Sequence, residues 1–242
     1  MQQYITLKEI QKDPTISAMV HQANLCLEAL GYTDHGPRHV GYVARITSDI
    51  LKKLGYPQRT VELGAIAGWV HDVGNLINRK GHAQLGAAML LPVLREMGMD
   101  LQEALKICTA VGNHDEESGA PVSEVSAALI IADKVDAHRA RVRRNKYDFH
   151  DIHDRVNYSI RSTRVTADPE EKTIRFWCFM DGTSSVKEFL TIYMSRITLA
   201  EQAARYLGCE LQLIINDMLI NRAPERPDLP AGQVPPVPEG DN

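Results

Sequence analysis

The sequence predicts a mainly α protein, a helical bundle followed by a small C-terminal β-β-α-β appendage. Three observations carry that expectation. Apolar residues recur at three- and four-residue steps from Thr15 to about Arg144. Beyond Arg161 the period shifts to short runs of β-branched and aromatic residues bounded by turn formers. A chain of 242 residues with 44% apolar content is also long enough to bury one large core, or a main body with a smaller attachment.

In the first part, Val40, Val43, Ala44, Ile46, Thr47, Ile50, Leu51 and Leu54 form one apolar stripe, and Leu101, Ala104, Leu105, Cys108 and Val111 form another. Breaks fall at GYTDHGP, LGYPQRT, NRKG, EMGMD and DEESGAPVS, where Gly, Pro, Asp and Ser supply turns and caps. About six helices are expected before the basic segment His138–Lys146, and then a polar helix near Asp148–Arg161. RVTADPEEKTIRFWCFMD reads as a hairpin turning at Asp168-Pro169. A long helix follows, opening on a capping box of Ser185 and Glu188 and closing on Gly208, with CELQLIIN as a third strand. From Arg222 the chain holds six of its twelve prolines and reads as an extended tail. The expected division is a helical domain over 1–147, an α+β appendage over 148–221 and a proline-rich tail over 222–242.

A formal charge of −4 gives no general attraction to nucleic acid or anionic membrane, so neither is an expected partner. Four scattered cysteines without a C-x-x-C pair suit reduced thiols. The N-terminal stretch lacks an apolar signal core, and the longest apolar run, GAAMLLPVL, is too short to span a bilayer. A cytoplasmic protein is expected. The extended tail and the unpaired edge of a small sheet are both satisfied by a second copy, so a homodimer is expected too.

Chemistry concentrates at breaks in the helical part. His39, His71, His82 and His114 all lie beside helix boundaries, Asp72 adjoins His71, and Asp133 interrupts an apolar helix that has no other use for an acid. Four imidazoles and two carboxylates without thiolate suit hard or borderline divalent ions, in a number right for two ions sharing one carboxylate. Asp72 is the candidate bridge. Such a pair of ions acidifies a bridging water and binds phosphate oxygens, which points to hydrolysis at phosphorus by a metal-bridged hydroxide, with Asp72 in the catalytic set. Arg38, Lys134 and Arg139 are the candidate clamps for phosphate oxygens.

The order H…HD…H…H…D resembles the HD-domain metal-dependent phosphohydrolase superfamily, over roughly His35 to Arg144. Within it the hexad looks like the di-metal branches, the HD-type symmetrical diadenosine-tetraphosphate hydrolases and, less closely, the HD-GYP phosphodiesterases. The resemblance implies a helical HD-domain bundle, with His39, His71, Asp72 and Asp133 as the four-ligand core and His82 and His114 as ligands of a second ion. It implies two divalent metal ions, iron or manganese first and zinc, nickel or magnesium as alternatives. Its expected substrate is a small phosphorylated molecule such as a nucleotide. Asp133, Lys134, Asp136 and Arg139 look like the ADK helix of the tetraphosphate hydrolases, and His82 with Gly86 fits the same branch. The cyclic-dinucleotide branch carries a lysine where this chain has Asn75, paired histidines where it has Asn113 and His114, and Gly-Tyr-Pro where it has Gly119, Ala120 and Pro121. A cyclic-dinucleotide phosphodiesterase is therefore one alternative, and a non-catalytic, metal-bound sensor or interaction module is another.

The remaining polar groups have plainer expected roles. His35, His138, His150 and His153 read as surface or helix-end residues, and Asp115, Glu116 and Glu117 as a solvated loop. The basic run apart from Arg139 reads as a solvated helix end. Phe176, Trp177 and Phe179 read as sheet core.

Overall fold

The structure, a computed structural model, describes residues 4–143 and 147–221; the proline-rich tail expected from Arg222 lies outside the described residues. Its first helix, α1 (Leu7–Lys12), was not expected from apolar periodicity. It is nucleated by a capping box in which Thr6 and Glu9 satisfy each other's backbone N–H groups. Six further α-helices precede the basic segment: α2 (Pro14–Ala29), α3 (Pro37–Lys53), α4 (Gln58–Val70), α5 (His82–Glu96), α6 (Leu101–Gly112) and α7 (Glu124–Lys134). A 3-10 turn, Val73–Leu76, connects α4 to α5. Each expected break separates two of these elements.

α7 is the axis of the body. Residues Val125 through Ala132 are all fully buried, because α3, α4, α6 and α9 (Val186–Tyr206) pack around it. Two glycines set how closely the neighbouring elements approach. A Cβ on Gly68 of α4 would stand 2.6 Å from Ala44 Cα of α3, so these helices meet backbone to backbone. On Gly74 it would stand 1.9 Å from the His82 carbonyl oxygen, so only glycine lets the 3-10 turn press on the start of α5. These two contacts lie beside the candidate site residues.

The polar helix is shorter than expected. α8 (Ile152–Ser159) is capped by the Asp151 side chain and ends where Ile160 begins β1 (Ile160–Asp168). The β-branched residues there pair in an antiparallel ladder with β2 (Thr173–Met180), which overrides helix continuation. α9 opens on the Ser185–Glu188 capping box and carries the chain to β3 (Glu210–Ile215), which lies parallel to β2; a two-residue β4 (Met218–Leu219) completes a sheet of order β1-β2-β3-β4. Of the three expected sheet-core aromatics only Phe176 is fully buried. Phe179 is 36% exposed, because alternate residues of β2 face opposite sides. One apolar cluster runs without interruption from Ile10 through α7 to Phe176, Tyr193 and Leu213. All four cysteines are free thiols, and among the described residues no helix is long and apolar enough to cross a membrane.

Candidate metal centre

Helix ends build this site, and for a chemical reason. The last carbonyls of a helix lack N–H partners and remain free to accept a side-chain hydrogen bond. His71 caps α4 and donates from Nδ1 to the Gly68 carbonyl at 2.9 Å, and His114, just past α6, donates to the Val111 carbonyl at 2.6 Å. His82, the first residue of α5, donates to the Arg79 carbonyl at 3.0 Å. All three use the carbonyl three residues back, which turns Nε2 of each ring away from its own backbone. His39, in the first turn of α3, is held differently, by Nδ1 donating to Asp136 Oδ2 at 2.7 Å.

With Nδ1 as the donor, each neutral ring presents an unprotonated Nε2. The four are brought face to face. His39 Nε2 lies 3.2 Å from His71 Nε2, and His82 Nε2 lies 3.1 Å from His114 Nε2. Two lone pairs at that separation do not attract; a cation shared between them, a metal ion or, at His71, a proton, is what the geometry accommodates. Carboxylates complete the arrangement. Asp72 Oδ2 stands 3.5 Å from His39 Nε2 and 3.4 Å from His71 Nε2, while its Oδ1 stands 3.5 Å from His82 Nε2 and 3.9 Å from His114 Nε2. Asp133 Oδ1 joins the first pair, at 3.5 Å from His39 and 3.6 Å from His71. Donor atoms bound at about 2.0–2.2 Å to one ion fall about 3–3.5 Å apart, so all these spacings but the longest, His114 to Asp72 at 3.9 Å, are close to those of a ligand shell.

The donor set passes a test of fit. Asp72 Oδ2 is buried and has no hydrogen-bond partner, and imidazole with carboxylate is the chemistry of divalent transition ions. Three overlapping groups can hold an ion: His39, His71 and Asp72; His71, His114 and Asp133; and Asp72, His82 and His114. Electrostatics agrees. Burial pushes His114 well below the usual histidine value and lowers His82. Burial also opposes charging His71, but Asp72 and Asp133 outweigh it and push that ring up to about 10. Burial works against ionisation of Asp72 and Asp133 as well, yet His71 beside the first and Lys134 beside the second hold both well below the carboxylate range. The centre therefore draws positive charge.

Around it stand groups with several origins. Asn75 donates to Asp72 Oδ1 at 2.8 Å and fixes that carboxylate's orientation. Lys134 is 5% exposed and bonds Asp133 Oδ2 at 2.7 Å and Glu116 Oε2 at 2.5 Å, so its ammonium reaches the cavity that the ligands line. Arg38 and Arg139 are not brought to that cavity. Arg38 pairs with Asp136 at 2.5 Å, behind His39, and Arg139 pairs with Asp181 at 3.0 Å and the Tyr158 carbonyl at 2.6 Å. Neither arginine is therefore placed for the clamp role expected of it. His35, Arg79, Arg141 and Arg196 line the cavity instead, with Asp115 and Glu116.

Several plain expectations are corrected here. His35 is no surface histidine, since its ring lies 5.1 Å from that of His39 and its Nε2 accepts from Arg141 at 2.7 Å. Asp115 is 7% exposed, and Glu116 bonds Lys134 and Arg196, so these two are packed rather than solvated, whereas Glu117 is exposed as expected. Arg141 is 5% exposed, inside a run expected to be solvated. His35 had a legible signal, one helical turn before His39. Arg196 had none, because only the packing of α9 on α7 brings it there.

Fold and site together define a helical domain with a cluster of imidazole and carboxylate groups that could hold metal. Residues 38–138 match the family model described as HD domain, a span that contains all six candidate ligands and excludes His35, Arg141 and Arg196. Among solved structures, the chain is similar to a predicted HD superfamily hydrolase from an uncultured Thermotogales bacterium, at 20% identity and a TM-score of 0.40, covering 55% of this chain and 75% of that one. No curated protein matches the chain.

Proposed function

We propose that the protein is a metal-dependent phosphohydrolase that cleaves a phosphate ester or anhydride of a nucleotide or related small molecule, using two divalent ions. One observation carries this: the two oxygens of Asp72 face two separate histidine pairs, His39 with His71 and His82 with His114. Divalent ions held there supply Lewis acidity toward phosphate oxygens and acidify a water near neutral pH. The protein's own residues do the rest. Asp136 and three backbone carbonyls lock the four rings in the ligating tautomer, which makes the site ready before loading. Lys134, tethered between Asp133 and Glu116, places a positive charge where a phosphate oxygen arrives. No side chain in the set is needed as a covalent nucleophile.

The test is a metal-reconstituted activity screen over nucleoside mono- and triphosphates, dinucleoside polyphosphates and cyclic dinucleotides, with Asp72→Ala and His82→Ala beside the wild type. Turnover by the wild type, loss of both ions in Asp72→Ala and loss of one in His82→Ala are expected. Tight metal binding without turnover of any phosphate compound would make the site that of a sensor or interaction module.

A further inference from the structure

The cavity above the ligands carries more positive charge than the ligands use. Arg79, Arg141 and Arg196 line that cavity and also a second, outer one, which continues past them to Tyr32, Thr33, Asp154 and Asn157. Three guanidinium groups therefore stand at one junction. They reach it from three places: Arg79 follows the first 3-10 turn, Arg141 ends a second 3-10 turn (Arg139–Arg141), and Arg196 lies on α9.

None of the three is fully engaged. Arg79 has two long hydrogen-bond contacts, to Asn75 Oδ1 at 3.5 Å and His82 Nε2 at 3.3 Å, lies over the Tyr32 ring at 5.7 Å, and has no carboxylate within ion-pair distance among the described residues. Arg141 donates to the Asp136 carbonyl at 2.8 Å and to His35 Nε2 at 2.7 Å, while its buried Nε makes no hydrogen bond and only a long ion pair with Asp136 Oδ2 at 3.8 Å. Arg196 meets Glu116 at 3.3 Å through Nε and lies over the Tyr193 ring at 5.1 Å, which leaves its terminal nitrogens without a hydrogen-bond partner among the described residues. Guanidinium groups placed this way are suited to the paired oxygens of a phosphate.

Charge balance points the same way. With its lining imidazoles His35, His82 and His114 neutral, the inner cavity is lined by four carboxylates (Asp72, Asp115, Glu116 and Asp133) and four cations (Arg79, Lys134, Arg141 and Arg196), of which Arg141 also faces Asp136 behind the cavity. Divalent ions add further positive charge, which a metal-bound hydroxide offsets in part and an incoming anion offsets in the rest.

We propose that Arg79, Arg141 and Arg196 form a second anion subsite between the inner and outer cavities, selecting a substrate whose scissile phosphate is joined to a second phosphate over a simple phosphomonoester. This rests on the phosphohydrolase reading above and narrows it. Two of the three arginines lie outside residues 38–138, so the preference belongs to the later part of this chain rather than to its matched region. The organic part of the substrate lies in the outer cavity.

Calorimetric titration of the metal-loaded full chain with methylphosphonate and with methylenediphosphonate tests this, with metal content measured before and after. The wild type is expected to prefer the diphosphonate by about ten-fold or more, the scale of a hydrogen bond to a charged group. Arg196→Gln and Arg79→Gln, on separate elements, should each lower that preference several-fold, and Arg196→Lys should restore part of it. An unchanged preference in both Gln variants would mean that the metals alone hold the second phosphonate, and would overturn the subsite. Equal wild-type affinity for the two probes would overturn the subsite and leave the phosphohydrolase reading intact. Failure of both probes to bind the loaded wild type would overturn both.

Discussion

Asp136 shows how much a single residue contributes without standing in the ligand shell. Its carboxylate is 1% exposed, accepts from His39 Nδ1, and is faced by Arg38 and Arg141; together they hold it at a depressed pKa against the opposing effect of burial. It therefore fixes which nitrogen of His39 carries the proton. Asp136→Asn is expected to lower metal affinity by about 10- to 100-fold, the usual cost of removing a carboxylate behind a ligating histidine. A competition titration measures it, and unchanged affinity would show that His39 needs no such partner. The same substitution leaves two arginines facing a neutral amide, so a lower Tm should accompany the metal defect.

At the scale of elements, α9 depends on its first turn. Glu188 accepts from Arg155, from the Ser184 hydroxyl and from the Ser185 backbone N–H, which together lower its pKa to about 2. A carboxylate with a depressed folded-state pKa stabilises the fold fully above its unfolded value near 4.5 and loses that contribution as pH falls through about 2. The Tm advantage of wild type over Glu188→Gln should therefore be constant above pH 4.5 and shrink below it. An advantage independent of pH across that window would mean that the carboxylate's charge is irrelevant to α9. Because α9 carries Arg196 against α7, the same comparison also reports how firmly that arginine is held.

For the whole molecule, the candidate metal centre gathers His39 from α3, His71 and Asp72 from the end of α4, His82 from α5, His114 from the end of α6 and Asp133 from α7. Without an ion, the facing nitrogens of His82 and His114 at 3.1 Å and two ionised carboxylates confront one another in the interior. An ion that binds only the folded state adds about 4 kcal/mol when present at roughly a thousand times its dissociation constant. For a chain of this size that corresponds to a Tm higher by roughly 10 °C. Scanning calorimetry of the loaded protein before and after exhaustive chelation should show this drop, and readdition of a divalent ion should reverse it. An unchanged Tm would mean that the ligands are stable as a purely hydrogen-bonded cluster.

Much of this was legible in the amino-acid order. Periodicity marked the helices from α2 to α7, the Ser185-x-x-Glu188 spacing marked the start of α9, and Asp168-Pro169 marked the hairpin. These are local properties, set by side chains within one turn or one strand of each other. The six His and Asp residues were also legible as a set, since a buried imidazole or carboxylate at a helix end needs a partner that the neighbouring sequence does not provide. What surrounds them was decided by packing. Lys134 reaches the cavity because Glu116 and Asp133 hold its ammonium there, and Arg139 does not because Asp181 draws it toward the appendage. Arg196 enters from α9 only because that helix covers α7, and Gly68 and Gly74 matter only because of what presses against them. The sequence by itself thus determined the elements and the ligand types, through short-range periodicity, caps and the cost of burying polar groups. The tertiary structure alone decided which charges face the site, because long flexible side chains take their direction from the opposite charge nearest in space rather than in sequence.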